Sequence, residues 1–285
     1  MILCFFDGGR LGVVGGGRVA EVPESLVPGT TRPQDRLAAL IESYDEVRDR
    51  LAALPGDASP ALAEVVLEAP VPSPQQLLCA VKNYADDRQG VAADFFLKSP
   101  LSITGTGTTV TLPPIEARVF HHEPELAVVI GRGGRDIGAA DAMGHVFGYT
   151  GFLDLSARDV GQTYYVKKSL GGFGPMGPFL VTADAVPDPH DLVVELSVNG
   201  EVRQRYSTGQ MANRIDRLIE VASSVSGLAP GDVIATGTHH IGMGPVQHGD
   251  RVTLAIERIG ELTVDIADPL RRVWDSAGRR LDPAV

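Results

Sequence analysis

In the segment HHEPELAVVIG, Glu123 and Glu125 stand two residues apart at the head of an apolar run. If that run is a strand, alternation puts both carboxylates on one face, at the rim of whatever core the run enters. Two carboxylates held close and partly dehydrated repel each other and resist ionisation; a bound divalent cation removes that penalty. A third acid, Asp154, ends the uncharged stretch within VFGYTGFLDLSARD. Hard oxygen donors favour Mg²⁺ or Mn²⁺, with Ca²⁺ also admitted, over Zn²⁺. The residues alone leave an alternative open: Glu123 and Glu125 on a solvated strand face, and Asp154 capping the following turn with Ser156.

Strands must position these acids. Apolar segments with strand character fall at 78–81, 95–97, 109–112, 125–130, 145–152, 179–182, 192–198, 233–235, 251–256 and 262–266. Asn199-Gly200 between VELSV and EVRQRY predicts a tight hairpin, because a type I′ turn needs residues that tolerate positive φ. Two helices are expected. Over 32–54 the residues Leu37, Leu40, Ile41, Tyr44, Val47, Leu51 and Leu54 recur at three- and four-residue steps, and Pro55-Gly56 stops the pattern. Over 212–225 Ile215, Leu218, Ile219, Ala222 and Val225 form one face. The prediction is an α+β fold built on a mixed or antiparallel sheet. Residues 1–72, a short meander plus the first helix, read as a small N-terminal domain before a proline-rich linker, and 73–285 as the main domain.

Composition narrows the function classes. The 285 residues carry a formal charge of −11, which argues against nucleic-acid binding because a phosphate backbone wants a basic footprint. Cys4 and Cys79 give no disulfide framework and are expected reduced in the core. No apolar stretch approaches the ~20 residues of a spanning helix, and the start lacks a basic leader region, so a soluble cytoplasmic protein with no membrane partner is expected.

From about residue 75 onward the chain resembles the fumarylacetoacetate hydrolase family. The matching segments are KNYAD (82–86), FFLKSP (95–100), HHEPELAVVIG (121–131), GYTGFLDLSARD (148–159), KKSLGGFGPMGP (167–178), VNGEVRQ (198–204), GDVIATGT (231–238) and GDRVTLAIERIGELTV (249–264), in family order over about three quarters of the chain. The resemblance implies a mixed-sheet barrel or roll with a small N-terminal domain, a homodimer, and a small-molecule oxo-acid or dicarbonyl substrate. It implies metal ligation by Glu123, Glu125 and Asp154, and a lysine at position 168 that polarises the substrate. Tyr84, Arg158, Thr238 and His239 are expected to face the substrate.

The chain also departs from the family's pattern. The usual NYxxHxxE, whose His and Glu activate water, is here Asn83-Tyr84-Ala85-Asp86-Asp87-Arg88-Gln89-Gly90. Asp87 stands where His is expected, and a carboxylate with a pKa near ~3.9 is a far poorer base at neutral pH than imidazole. Asp87, His239 or His240 would have to replace it; we take Asp87 and His240, with Lys168, as the catalytic candidates. The leading expectation is metal-dependent hydrolysis of a C–C bond in an acylpyruvate-like substrate. A lyase or isomerase of an oxo acid is the second, because the His/Glu pair is missing, and a catalytically silent binding homologue is the third.

Overall fold

The run Pro124–Ile130 becomes a strand whose seven residues are all buried, and the rest of the architecture is arranged around it. The computed structural model describes residues 1–28, 32–84 and 91–281, so Asp87 lies outside the described residues. An eleven-stranded mixed sheet runs in the order Arg18–Glu21, Arg10–Gly15, Ile2–Phe6, Gly174–Thr182, Val146–Leu153, Pro124–Ile130, Val233–Ala235, Leu77–Ala80, Phe95–Leu97, with Leu67–Glu68 and Ile103–Thr104 attached beside this path. Val233–Ala235 pairs Leu77–Ala80 in parallel, whereas the strands on either side of Pro124–Ile130 pair with it antiparallel. A second, five-stranded sheet orders Glu201–Ser207, Val193–Val198, Arg251–Ile256, Gly260–Ala267 and Thr109–Thr111.

Alternation along the central strand divides the interior in two. Leu126, Val128 and Ile130 share a core with Val194, Leu196, Leu254 and Leu262 of the second sheet. Ala127 and Val129 join the other core, with Leu3, Phe5, Leu37, Leu40 and Leu51. A strand buried on both faces reads as a continuous apolar run, which is why LAVVI shows no polar alternation. The architecture is α+β with mixed sheets, as expected. Among the described residues neither large sheet closes on itself, so a packed roll describes it better than a barrel.

The first helix, Pro33–Ala52, buries Leu37, Leu40, Ile41, Val47 and Leu51 as the periodicity predicts; proline stands at its start, where a missing N–H costs nothing. The second long helix begins at Ile215 rather than 212. The backbone N–H groups of Ala212 and Asn213 are instead taken by the carbonyl and side chain of Asn83, at 2.7 and 2.8 Å, which holds them out of the helix. The strand expected at 179–182 starts at Gly174, because pairing to Val146–Leu153 and to Ile103–Thr104 overrides the turn character of GPMGP. In the hairpin at 199–200 both residues have positive φ, 55° and 81°, as a type I′ turn requires. Both cysteines are free and buried. No helix among the described residues is long and apolar enough to cross a membrane.

Candidate metal centre

Strand register brings the acids together. Pro124 pairs with Leu153 and Glu125 with Phe152, so the chain leaving Val146–Leu153 carries Asp154 to Glu123, whose carbonyl accepts the Asp154 N–H at 2.9 Å. Glu123 and Glu125 continue the face of Ala127 and Val129, where that face runs out of apolar neighbours. All three carboxylates are buried, and each offers an oxygen such that the three lie within 4.8 Å of one another. Opposed oxygens around one octahedral ion stand about 4.2 Å apart for Mg²⁺ and up to about 5 Å for Ca²⁺, so these donors fit a hard dication with little movement.

Cations surround this cluster. Lys168, at the end of the short helix Tyr164–Lys168, donates to Glu123 Oε2 at 2.8 Å and to Asp154 Oδ2. Arg158 donates to Glu123 Oε1 and, through Nε, to His121 Nδ1 at 3.1 Å. Ser156 Oγ donates to Glu123 Oε1 at 2.9 Å. On the far side of Asp154, the fully buried Lys98 donates to Oδ1 at 2.6 Å.

The two glutamates consequently titrate apart. Burial alone would raise Glu123, but Lys168, Arg158 and the hydrogen bonds from Lys168 and Ser156 outweigh it and hold the carboxyl at about 2. Glu125 has no such partner: burial first, and then the Asp154 charge, push it well above the carboxylate range. Such a split marks a site that lacks one positive charge at Glu125, which a divalent ion would supply.

The cluster opens into a cavity of about 150 Å³, which Lys82, Phe96, Arg158, Lys168, Thr238 and His240 also line. Larger clefts of about 600 and 570 Å³ flank the first helix, near Arg48 and Asp184, but no group of three potential ligands meets there among the described residues. Chemistry rather than size therefore picks the small cavity.

Of the residues singled out from the sequence, Glu123, Glu125, Asp154, Arg158, Lys168, Thr238 and His240 meet at this cavity. His239 does not: its ring packs against Tyr206 at 5.9 Å, and its carbonyl accepts Gln204 Nε2 at 2.5 Å. Tyr84 is buried edge-on against Tyr206, with centroids 4.9 Å apart, and is likewise not part of the lining. Three contributors were not picked out. Lys98 lies in FFLKSP, where a lysine ending an apolar strand was the available signal. Gln204 accepts from His122 Nδ1 at 2.9 Å and so joins the glutamate segment to the 238–244 loop. Lys82 lines the cavity with a backbone φ of 53°, a conformation no sequence pattern announces.

Residues 75–267 match the family model described as "Fumarylacetoacetate (FAA) hydrolase C-terminal". A maleylpyruvate hydrolase of Aquipseudomonas alcaligenes is 36% identical over 287 residues, spanning 93% of this chain and 99% of that one. The crystal structure of a maleylpyruvate hydrolase from Sphingobium sp. SYK-6, in complex with manganese(II) and pyruvate, superposes with a TM-score of 0.85 at 40% identity, covering 94% of this chain and 99% of its own. An oxaloacetate tautomerase of Bacillus subtilis is 40% identical over 224 residues, 72% of this chain and 74% of that one. On the family match across 75–267 and on likeness over nearly the whole length, this chain belongs to the fumarylacetoacetate hydrolase family.

Proposed function

We propose that the protein is a divalent-metal-dependent hydrolase that cleaves a C–C bond in acylpyruvate-like 2,4-dioxo acids, with maleylpyruvate-type diacids the first class to test. The observation that carries this is the convergence of three buried carboxylates within 4.8 Å beside a small cationic cavity. Likeness to maleylpyruvate hydrolases over more than nine-tenths of the chain supports it. Glu123, Glu125 and Asp154 are the proposed ligands, for Mg²⁺ or Mn²⁺. When bound, the ion supplies a Lewis acid that polarises a carbonyl of the chelating oxo acid.

The chain's own residues do the rest. Arg158 and Lys168 line the cavity and place positive charge around an anionic substrate, where negative charge gathering on the leaving half would be stabilised. Thr238 offers a hydroxyl at the cavity wall. His240, at the rim, is the group proposed to take a proton from the attacking water. Asp87 is the other proposed base. Residues 73–285 are taken as the catalytic domain and 1–72 as a small N-terminal domain, in a cytoplasmic homodimer.

A second reading, a tautomerase, decarboxylase or related isomerase acting on an oxo acid, is favoured by Asp87 in place of histidine and by the likeness to an oxaloacetate tautomerase. One experiment separates them. Metal-stripped protein is incubated with maleylpyruvate or with oxaloacetate, with and without Mn²⁺; products of the first are resolved by chromatography, and enol–keto conversion and loss of the second are followed by ultraviolet absorbance against enzyme-free controls. Metal-dependent release of pyruvate and maleate is expected. Turnover of oxaloacetate alone would replace the hydrolase reading with the second one.

A further inference from the structure

Asp154 is held by two lysines that are not equivalent. Lys98 is wholly enclosed, and its ammonium has three acceptors: Asp154 Oδ1 at 2.6 Å, the Phe173 carbonyl at 2.7 Å and the Leu155 carbonyl at 3.4 Å. Three acceptors use all three of its protons. Its stem passes Gly174, where a Cβ would come within 3.4 Å of Lys98 Cε and 2.9 Å of Ser102 Oγ, so the fold has left room for it there. Lys168 is different. Its acceptors are Glu123 Oε2 and Asp154 Oδ2, both carboxylate oxygens of the candidate metal cluster, and it lines the cavity that opens from them. Its Nζ also stands 5.2 Å from the centre of the Phe96 ring, a face that accepts a cation without neutralising it.

A dication and an ammonium on the same oxygens repel, and only one of the two lysines has somewhere to go. We infer, resting on the metal-dependent reading above, that Lys98 is the fixed positioning residue of Asp154, whereas Lys168 is an exchangeable cation that a divalent metal displaces from Glu123 and Asp154 into the substrate cavity beside Phe96. Metal loading and presentation of the Lys168 ammonium to substrate are then one event. Lys98 keeps the Asp154 carboxylate aimed throughout, because burial of that carboxylate without a partner is unfavourable.

The test is Mn²⁺ titration of the metal-stripped, full-length protein, with free Mn²⁺ followed by electron paramagnetic resonance. Lys168→Met should bind Mn²⁺ at least about tenfold more tightly than the native protein, since a competing charge is gone. Lys98→Met should bind it at least about tenfold more weakly. In parallel, reductive methylation read by mass spectrometry should modify Lys168 faster once Mn²⁺ is added, with Lys98 protected in both conditions. Equal or weaker Mn²⁺ binding by Lys168→Met, or Lys168 labelling that ignores Mn²⁺, overturns the exchange; native affinity in Lys98→Met overturns its positioning role. If Lys98→Met does not fold by circular dichroism, Lys168→Met and the labelling decide. No Mn²⁺ uptake by the native protein would instead overturn the metal reading and this inference with it.

Discussion

Glu125 Oε2 accepts the backbone N–H of Gly237 at 2.8 Å, so a candidate metal ligand is fastened to the turn that carries Thr238. Among the described residues no cation pairs with Glu125, although Glu123 and Asp154 each have two. Its raised pKa means that the folded, metal-stripped protein gains stability below the unfolded value and loses it as pH rises through the folded one. Glu125→Gln keeps the acceptor for Gly237 and removes the charge. At pH 7.5 the metal-stripped variant should melt about 2–4 °C higher by calorimetry, while Mn²⁺ affinity falls more than about 100-fold, beyond the loss of an outer partner. Native Mn²⁺ affinity in this variant would remove Glu125 from the ligand set.

Acid should loosen the segment that leads into the ligands. His122 Nδ1 donates to Gln204 Oε1, and its buried Nε2 has no partner among the described residues, so protonation would bury an unmatched charge. Burial holds its imidazole at about 4. A lowered folded value means that the unfolded chain takes the proton first. Stability is therefore intact above pH 6.5 and falls between 6.5 and about 4, on the order of 3 kcal/mol for this one residue. The His122→Asn variant should show a flatter Tm profile over that interval; an unchanged slope would place the acid sensitivity elsewhere.

Partial desolvation of this exposed residue at the cavity rim, opposed by Glu123 and reinforced by Arg158, keeps the imidazole of His240 below its ordinary value. The side chain is then neutral at pH 7 and free to accept a proton. The expected kcat/KM profile rises through a midpoint below 6.5 and then levels. His240→Gln should lower the plateau about 100-fold and abolish that acid limb. Retention of the limb would assign the base to another group.

The bond from Gln204 to the His239 carbonyl predicts a different signature. Gln204→Leu frees the 238–244 loop and leaves His122 Nδ1 unpaired, at a cost of about 1–3 kcal/mol. Substrate KM should rise several-fold through misplacement of Thr238 and His240, with Mn²⁺ affinity near native, because no ligand carboxylate bonds to Gln204. A loss of Mn²⁺ affinity as large as the rise in KM would show that the loop and the ligands are not separable.

Much of this was legible before any coordinates. Leu37, Leu40, Ile41, Val47 and Leu51 announced the first helix because helical burial leaves a periodic trace. Asn199-Gly200 announced its hairpin because positive φ restricts residue choice. Glu123, Glu125 and Asp154 were conspicuous because charge at the end of an apolar strand is unfavourable without a reason. The five-residue helix that presents Lys168 is too short to leave a period, and the extension of one strand to Gly174 came from its neighbours.

What the chain's own order of residues determined is which side chains share a face, since backbone geometry imposes that locally at every residue. What only the tertiary structure decided is what each face meets. Lys98 and Asp154 are 56 positions apart, and their 2.6 Å bond depends on burial and on space beside Gly174. The unlike fates of Glu123 and Glu125 depend likewise on Arg158 and Lys168 reaching one carboxylate and not the other. Electrostatics inside a protein is set by distance through space, to which spacing along the chain is blind.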